Sequence, residues 1–127
     1  MEQYLIDTNV VSDYFSASFS NAGMQFMDNA IDAIPNISIM TQIELLCWKT
    51  DAATEQKVKN FITDSSALNI NADVIAQCVT LRKGKKIKTP DAIIAATALA
   101  YDLTIITRNT KDFVNINGLK IIDPHSL

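Results

Sequence analysis

The sequence predicts an α/β fold in which helices flank a central, mainly parallel sheet of short strands. Apolar runs of three or four residues recur along the chain, and between them apolar residues return at the 3.6-residue spacing of helices. Strands that alternate with helices are typical of a parallel sheet covered on both faces, which accounts for strands with few polar residues. With 127 residues, 48% of them hydrophobic, residues 1–127 are expected to form one domain.

The first half of the chain is predicted to hold two strands and three helices. Residues 4–6 and 37–39 are the apolar strand candidates, and each is followed by residues that suit the start of a helix. The second of these helices precedes Pro35, because apolar residues recur at helical spacing up to Ile34. Thr41 is predicted to cap the helix after the second strand, since Glu44 completes a capping-box pattern.

The second half continues the alternation. A helix around Val58 is followed by a helix that is predicted to begin after its cap Asn71 and to end near Gly84. Thr89 is predicted to cap a further helix, with Pro90 in its first position and an acid in its first turn. The strand candidates of this half are residues 67–70, 103–106 and 119–122.

Four acids near one edge of the predicted sheet are the main functional candidates: Asp7, Glu44, Asp91 and Asp112. Each has an ordinary explanation of its own, as a turn or helix-start residue or, for Asp112, as an acid in a polar loop. As a set they stand beside the carboxyl ends of parallel strands, where ligands bind in such folds. Converging carboxylates repel one another unless a cation neutralises them, and oxygen ligands select hard cations. The set therefore predicts a Mg²⁺ site, with Mn²⁺ as the alternative ion, suited to phosphoryl chemistry.

The same residues resemble the PIN-domain ribonucleases and, within them, the VapC-type toxins of type II toxin–antitoxin pairs. The resemblance lies in residues 4–9, Glu44, residues 89–96, residues 107–109 and residues 112–113, and it extends over nearly the whole chain. It implies a PIN-like three-layer fold and a Mg²⁺-dependent endoribonuclease that leaves a 5′-phosphate and a 3′-hydroxyl. A cognate antitoxin and a homodimer are implied as well.

The resemblance also implies roles for single residues. Asp7 and Asp91 are expected to bind the metal directly, and Glu44 directly or through water. Asp112 is expected as the fourth acid, but some relatives carry an acid nearer the position of Asn109, so the choice between the two stays open. The supporting polar groups, which orient ligands or the attacking water, are expected to be Thr8, Thr107 and Asn109.

The distribution of basic residues qualifies an acidic total charge. The net charge is −3 and the sequence pI is about 4.9, which does not suggest a nucleic-acid binder. A basic strip nevertheless stands just before Asp91, and it either binds RNA phosphates near the metal or is a solvated loop. Arg108 and Lys111, on the loop of Asp112, are further candidates for phosphate binding. The strip consists of Arg82, Lys83, Lys85, Lys86 and Lys88.

The remaining features predict a cytoplasmic protein without a membrane segment. No apolar run approaches membrane-spanning length, and residues 1–4 lack the basic start of a signal peptide. Cys47 and Cys78 are expected to be buried and reduced, and the single His125 argues against a zinc site. The candidates for stacking on bases, or else for packing in the core or a dimer interface, are Tyr14 and Trp48.

Two other classes of protein compete with the nuclease. One is another acidic-pocket α/β protein, such as a phosphoacceptor receiver or a metal phosphohydrolase. A receiver would have paired acids after its first strand and a phosphatase an Asp-x-Asp motif, whereas residues 7–9 here offer one acid. The other is a domain of the same fold that binds RNA or a partner without catalysis and without a toxin role. All four acidic positions are filled, so the sequence itself gives no sign of a dead site.

Overall fold

The strands form one parallel sheet with its first strand at the centre. The structure, a computed structural model, describes residues 3–127. Met1 and Glu2, which belong to the segment predicted not to be a signal peptide, lie outside the described residues. The sheet order is β3-β2-β1-β4-β5, and every pairing is parallel. The strands are β1 (Tyr4–Ile6), β2 (Asn36–Ser38), β3 (Ser66–Leu68), β4 (Thr104–Ile106) and β5 (Lys120–Ile122).

Six α-helices connect these strands. They are α1 (Thr8–Phe15), α2 (Asn21–Asp32), α3 (Ile39–Cys47), α4 (Ala52–Asp64), α5 (Ala72–Gly84) and α6 (Thr89–Tyr101). Two short 3-10 helices, Thr110–Asp112 and Pro124–Ser126, precede and follow β5. Within residues 3–127, none of the helices has the length and apolar character needed to cross a bilayer.

The sheet is the middle of three layers because its side chains alternate between two faces. On β1 and β4, Leu5 and Ile105 point to a core shared with α5 and α6, while Ile6 and Ile106 point to a core shared with α1 to α4. Each fully buried Leu or Ile contributes roughly 1.5–3 kcal/mol to folding, so the two cores compensate for strands of only three residues. The predicted α/β fold with a short-stranded parallel sheet is confirmed.

Helix α6 has more buried residues than any other helix within residues 3–127. Its small residues let it pack closely against the sheet and α5, and most of the helix from Ala92 to Ala98 is buried. Asp91 is the third residue of this helix, which places a carboxylate at the border of the core. The expectation that this helix is packed deep is therefore correct.

Two predicted helix caps are wrong. Helix α3 begins at Ile39, and Ser38 is its cap, with the Ser38 hydroxyl accepting the Thr41 N–H at 3.0 Å. Residues 37–39 were predicted as a strand. Residues 37 and 38 do lie in β2, but β2 ends at Ser38, whose hydroxyl caps α3, and Ile39 is the first residue of that helix. Helix α6 has Lys88 at its cap position without a side-chain hydrogen bond, so Thr89 is its first residue and Pro90 its second.

Two other expectations also need correction. Ile34 lies beyond the end of α2, in the left-handed region with φ 56°, and is 69% exposed. Cys47 is exposed and Cys78 only half-buried, although both thiols are free as expected. The apolar pattern around Cys47 misled because α3 carries apolar residues on its outer face too, where Ile43 and Leu46 are about half exposed.

Candidate active site

Asp7 lies at the carboxyl end of the central strand and is nearly buried, with 5% exposure. It follows β1 directly and caps α1, because its Oδ1 accepts the Thr8 N–H at 2.8 Å. Its Oδ2 accepts two further hydrogen bonds, from the Thr107 hydroxyl at 2.8 Å and from the Asn9 side-chain amide at 3.1 Å. The carboxylate is thus held in one orientation by residues that follow two adjacent strands, β1 and β4.

The surroundings of Asp7 disfavour its negative charge. Burial raises the pKa of the Asp7 carboxyl, and the charge of Glu44 raises it as well, although the hydrogen bonds from Thr107, Thr8 and Asn9 oppose the rise. A buried anion with another anion nearby is costly unless a cation is bound.

Glu44 points at the same edge from α3. With Ser38 as the cap of α3, Glu44 stands in the sixth helical position, so the capping-box explanation of this acid does not apply. Instead its Oε1 accepts the Thr8 hydroxyl at 2.6 Å. Thr8 therefore connects the two acids, with its backbone N–H on Asp7 and its hydroxyl on Glu44.

The negative charges of the three other acids act on the Asp91 carboxyl. Burial raises the pKa of the Asp91 carboxyl most, and the charges of Asp112, Asp7 and Glu44 raise it further, while Lys88 lowers it. Helix α6 brings Asp91 to this edge from the opposite face of the sheet to α1 and α3. The fold therefore brings Asp91 within electrostatic range of the other three acids predicted from the sequence.

Asp112 and Asp91 share a cleft with part of the basic strip. The cleft has a volume of about 350 Å³ and is also lined by Lys86, Lys88 and Lys111. Asp112 is exposed, in the 3-10 helix that follows β4. Carboxylates and ammonium groups that line one cleft suit a ligand that carries both a metal ion and phosphate groups.

The other predicted basic residues have partners within the chain. The Arg82 guanidinium donates to the Ile87 carbonyl at 2.6 Å, and Lys85 Nζ donates to the carbonyl of Asn115 at 2.6 Å. Arg108 pairs with Asp13, its Nη1 lying 2.8 Å from Asp13 Oδ1. These contacts close loops around the cleft, whereas Lys83 is exposed at the end of α5. Of the strip, Lys85, Lys86 and Lys88 line the cleft.

The supporting residues hold the acids from behind. The hydroxyl of Thr107 is buried and, besides donating to Asp7, accepts the Asn109 N–H at 3.1 Å. Asn9 was not among the predicted site residues, but its side chain connects Asp7 to the backbone N–H of Arg108 at 3.1 Å. Its position in residues 4–9 was the available signal, but Asn9 was interpreted only as a helix-start residue.

Metal binding by these residues rests on the chemistry of the donor set. Among residues 3–127, no three Asp, Glu, His or Cys side chains are placed so as to hold one ion together. Mg²⁺ does not need three, since it commonly keeps several waters and takes one or two carboxylates together with substrate phosphates. Oxygen donors alone, repelling one another across a cleft, fit a hard cation of that kind.

A larger cavity lies away from the acids. It has a volume of about 580 Å³ and is lined at the amino ends of β1, β2 and β3 by Tyr4, Asn36 and Ser66. No acid lines it. Ligand sites in parallel sheets form at the carboxyl ends, so size does not make this cavity the better candidate.

Two aromatic residues have structural roles. Trp48 is half-buried against the core of α1 to α4, and the Tyr14 hydroxyl donates to Asp28 at 2.6 Å, which raises the pKa of Tyr14 to about 12. Packing, rather than stacking on bases, accounts for both side chains as they stand. Trp48 also borders a shallow cavity beside Glu44, together with Thr8 and Leu45.

Comparison with known proteins gives one family and a set of similar chains. Residues 4–119 match the family described as PIN domain. The chain is 28% identical to the VapC ribonuclease Y4jK of Sinorhizobium fredii (strain NBRC 101917 / NGR234), in an alignment that covers 94% of this chain and 96% of that protein. The match extends over almost the full length of both.

Solved structures share the fold. A chain of a toxin–antitoxin complex from Klebsiella pneumoniae is 35% identical, with a TM-score of 0.74 and coverage of 96% of this chain and 98% of that one. A chain of DNA-bound VapBC from Salmonella typhimurium is 21% identical, with a TM-score of 0.78 and coverage of 98% and 99%. The similarity to the Salmonella typhimurium chain shows the fold alone. In the alignment with the Klebsiella pneumoniae chain, more than a third of the aligned residues are identical as well.

Proposed function

The chain belongs to the PIN-domain family, and on this premise we propose that it is a metal-dependent endoribonuclease, the toxin of a VapBC-type toxin–antitoxin pair. The observation that carries the proposal is the mutual electrostatic effect of the acids, since Asp112, Asp7 and Glu44 all raise the pKa of Asp91. Such an arrangement is costly in a protein that has no use for a cation. The resemblance read from the sequence motifs is confirmed at the level of the family.

We assign Asp7 and Asp91 as the direct ligands of Mg²⁺ or Mn²⁺. Asp7 is fixed by three hydrogen bonds, and a ligand held in this way needs little reorganisation on binding. Glu44 completes the site from α3, directly or through water. Asp112 is favoured over Asn109 as the fourth group because its charge acts on Asp91 and it lines the same cleft.

The reaction is hydrolysis of an RNA phosphodiester bond. Water bonds to phosphorus while the bond from phosphorus to the 3′ oxygen breaks, and that oxygen leaves as a hydroxyl. A bound hard cation would supply polarisation of the phosphate and a more acidic water. The chain's own contribution is to orient the acids through Thr8, Thr107 and Asn9, and to bind flanking phosphates through Lys86, Lys88 and Lys111.

Metal dependence is the first expected result. Purified protein should cleave bacterial total RNA in the presence of Mg²⁺ or Mn²⁺, giving products with 5′-phosphate and 3′-hydroxyl ends. EDTA should abolish cleavage, and excess Mg²⁺ should restore it. Cleavage that persists in EDTA contradicts the metal mechanism. Binding of RNA without cleavage under all these conditions favours the non-catalytic domain instead.

The lysines of the cleft should control RNA affinity. Replacing Lys86 and Lys111 together by Ala removes two phosphate contacts, which should weaken RNA binding about tenfold and reduce the slope of log affinity against log salt by about 1.4. Fluorescence anisotropy with a labelled single-stranded RNA in Ca²⁺, across a salt series, measures both. The double variant Lys49→Ala and Lys57→Ala, exposed lysines outside the cleft, is the matched control. Equal slopes for the two double variants would assign the strip to solvent.

We also propose a cognate antitoxin as partner and a homodimer in the cytoplasm. The similar chain from Klebsiella pneumoniae comes from a toxin–antitoxin complex. On this chain, Ile43 and Leu46 are about half exposed on α3 beside Glu44, an apolar surface that a partner near the site would cover. Expression of the chain should arrest bacterial growth, and co-expression of a neighbouring reading frame with a DNA-binding N-terminus should relieve the arrest. Unhindered growth with soluble wild-type protein contradicts the toxin role.

A further inference from the structure

Asp13 is a nearly buried acid that the proposed reaction does not use. It lies in α1, 8% exposed, and its two carboxylate oxygens accept hydrogen bonds from two distant parts of the chain. Arg108 Nη1 lies 2.8 and 3.1 Å from the two oxygens, and His125 Nε2 lies 2.8 Å from Oδ2. We call Asp13, Arg108 and His125 the C-terminal clamp.

The clamp is continuous with the site through Arg108. This residue follows Thr107, the donor to Asp7, and precedes Asn109, whose N–H donates to the Thr107 hydroxyl. The backbone N–H of Arg108 donates to Asn9 Oδ1 at 3.1 Å, and the Asn9 amide donates to Asp7 Oδ2 at 3.1 Å. A displacement of Arg108 would therefore alter the position of the Asp7 carboxylate through these two hydrogen bonds of Asn9.

The other arm of the clamp is held firmly in place. His125 belongs to the 3-10 helix Pro124–Ser126, its N–H donates to Asp123 at 2.9 Å, and its ring lies 4.4 Å from the ring of Phe19. That helix packs directly on α2 at Gly23. A Cβ at Gly23 would stand 2.6 Å from the Pro124 carbonyl oxygen, a distance that backbone atoms do not tolerate. The glycine therefore permits the close approach that brings His125 to Asp13.

We infer that the C-terminal clamp fixes the loop of residues 107–109 and so orients Asp7 for metal binding. This inference rests on the proposed function. Asp13, Arg108 and His125 are positioning residues in this scheme, because the proposed function assigns none of them to the metal or to the RNA. Partners behind a metal ligand typically affect metal affinity or activity by about 10- to 100-fold. The competing explanation is that the clamp merely attaches the C-terminal segment to α1.

Four variants and one control separate the two explanations. His125→Ala removes one arm, and Asp13→Asn weakens both. Gly23→Ala displaces Pro124 without deleting any clamp residue. His125→Gln restores a side-chain N–H that can reach Asp13. Tyr14→Phe, next to Asp13 in α1, removes one hydrogen bond outside the clamp and is the matched control.

Three measurements apply to each variant: Mn²⁺ affinity by titration calorimetry, kcat and KM for RNA cleavage, and hydrogen exchange of the Arg108 and Asn109 amides by NMR. We expect His125→Ala and Gly23→Ala to weaken Mn²⁺ binding and lower kcat about tenfold, with KM within about twofold of wild type and faster exchange of both amides. His125→Gln should recover most of the affinity, and Tyr14→Phe should match wild type.

The result that overturns the inference is a His125→Ala protein with wild-type Mn²⁺ affinity and wild-type exchange at Arg108 and Asn109, whatever its melting temperature. That outcome would leave the clamp as an attachment only. Failure of the proposed function looks different, because the wild type itself would then show no metal-dependent cleavage, while the amide exchange would still report whether the clamp orders the loop. Should Asp13→Asn fail to fold, His125→Ala and Gly23→Ala decide the question alone.

Discussion

The Asp7→Asn protein is expected to fold normally and to cleave RNA about 10³-fold more slowly than the wild type. On the proposed function, the amide removes the negative charge that would face the metal while keeping the size of the side chain. Several kcal/mol of transition-state stabilisation by the ion correspond to such a factor, since each tenfold in rate is about 1.4 kcal/mol. Initial rates of RNA cleavage at saturating Mg²⁺, with circular dichroism to verify folding, measure the effect.

A matched substitution shows whether the loss is specific to the site. Asp102→Asn makes the same chemical change at an exposed acid that ends α6 in the left-handed region, φ 55°, where Asn is well tolerated. It should cleave RNA like the wild type. An Asp7→Asn protein that retains more than about a tenth of the wild-type rate would show that Asp7 is not an essential ligand.

Asp91→Asn is expected to affect stability and activity in opposite directions. Burial and the charges of Asp112, Asp7 and Glu44 raise the pKa of the Asp91 carboxyl in the folded protein. The folded chain thus binds this proton more tightly than the unfolded chain, so the metal-free wild type loses stability as the pH rises above the ordinary value of 3.8. Asn carries no charge, so the variant lacks this loss at neutral pH.

The expected gain for Asp91→Asn without metal is small, because water screens a half-exposed carboxylate. We expect about 0.5 kcal/mol at pH 7, or about 1–3 °C in the melting temperature, and less as the pH is lowered toward 4. With Mg²⁺ the order should reverse, since the ion stabilises only a protein that binds it, and RNA cleavage should fall about 10³-fold. Thermal unfolding in EDTA and in Mg²⁺, at several pH values, tests both signs.

Asp73→Asn is the control for this substitution. Asp73 stands in the first turn of α5, as Asp91 does in α6, but it is exposed and away from the cleft. The helix dipole stabilises the negative charge of Asp73, and Asp73 lies outside the cluster of acids. Removal of this charge should therefore slightly lower the melting temperature. A fall of the same size for Asp91→Asn would refute the repulsion among the acids on which the metal proposal depends.

The parts of the fold that follow from local patterns could be predicted from the sequence. Strands β1 and β4 are apolar runs bounded by polar residues, and Asp7 and Thr107 come directly after them, so both the strands and their shared edge were predictable. The cap of α5 by Asn71 followed in the same way, because a cap acts within four residues.

The parts that depend on distant contacts could not be predicted. Thr41 was predicted to cap α3 and Ile39 to belong to a strand, but β2 ends at Ser38, which caps a helix that begins at Ile39. Arg108 was expected to bind phosphate, but its partner Asp13 lies 95 residues earlier in the chain. His125 was considered only as a zinc ligand, since nothing near it in the sequence indicates the approach of its ring to Asp13. Such pairings follow from the packing of α1 against the C-terminal segment.

The position of β1 at the centre of the sheet has a consequence for synthesis on the ribosome. Its two neighbours in the sheet are β2 and β4, and the hydrogen bond from Thr107 to Asp7 joins residues 100 positions apart. Contacts between such distant residues form late, because the intervening chain must first be made and its ends brought together. A nascent chain that ends before Thr107 has neither that hydrogen bond nor Asp112. Translation therefore delays the assembly of this edge until Asp112 has been made, and on the proposed function shorter fragments are expected to lack RNA cleavage.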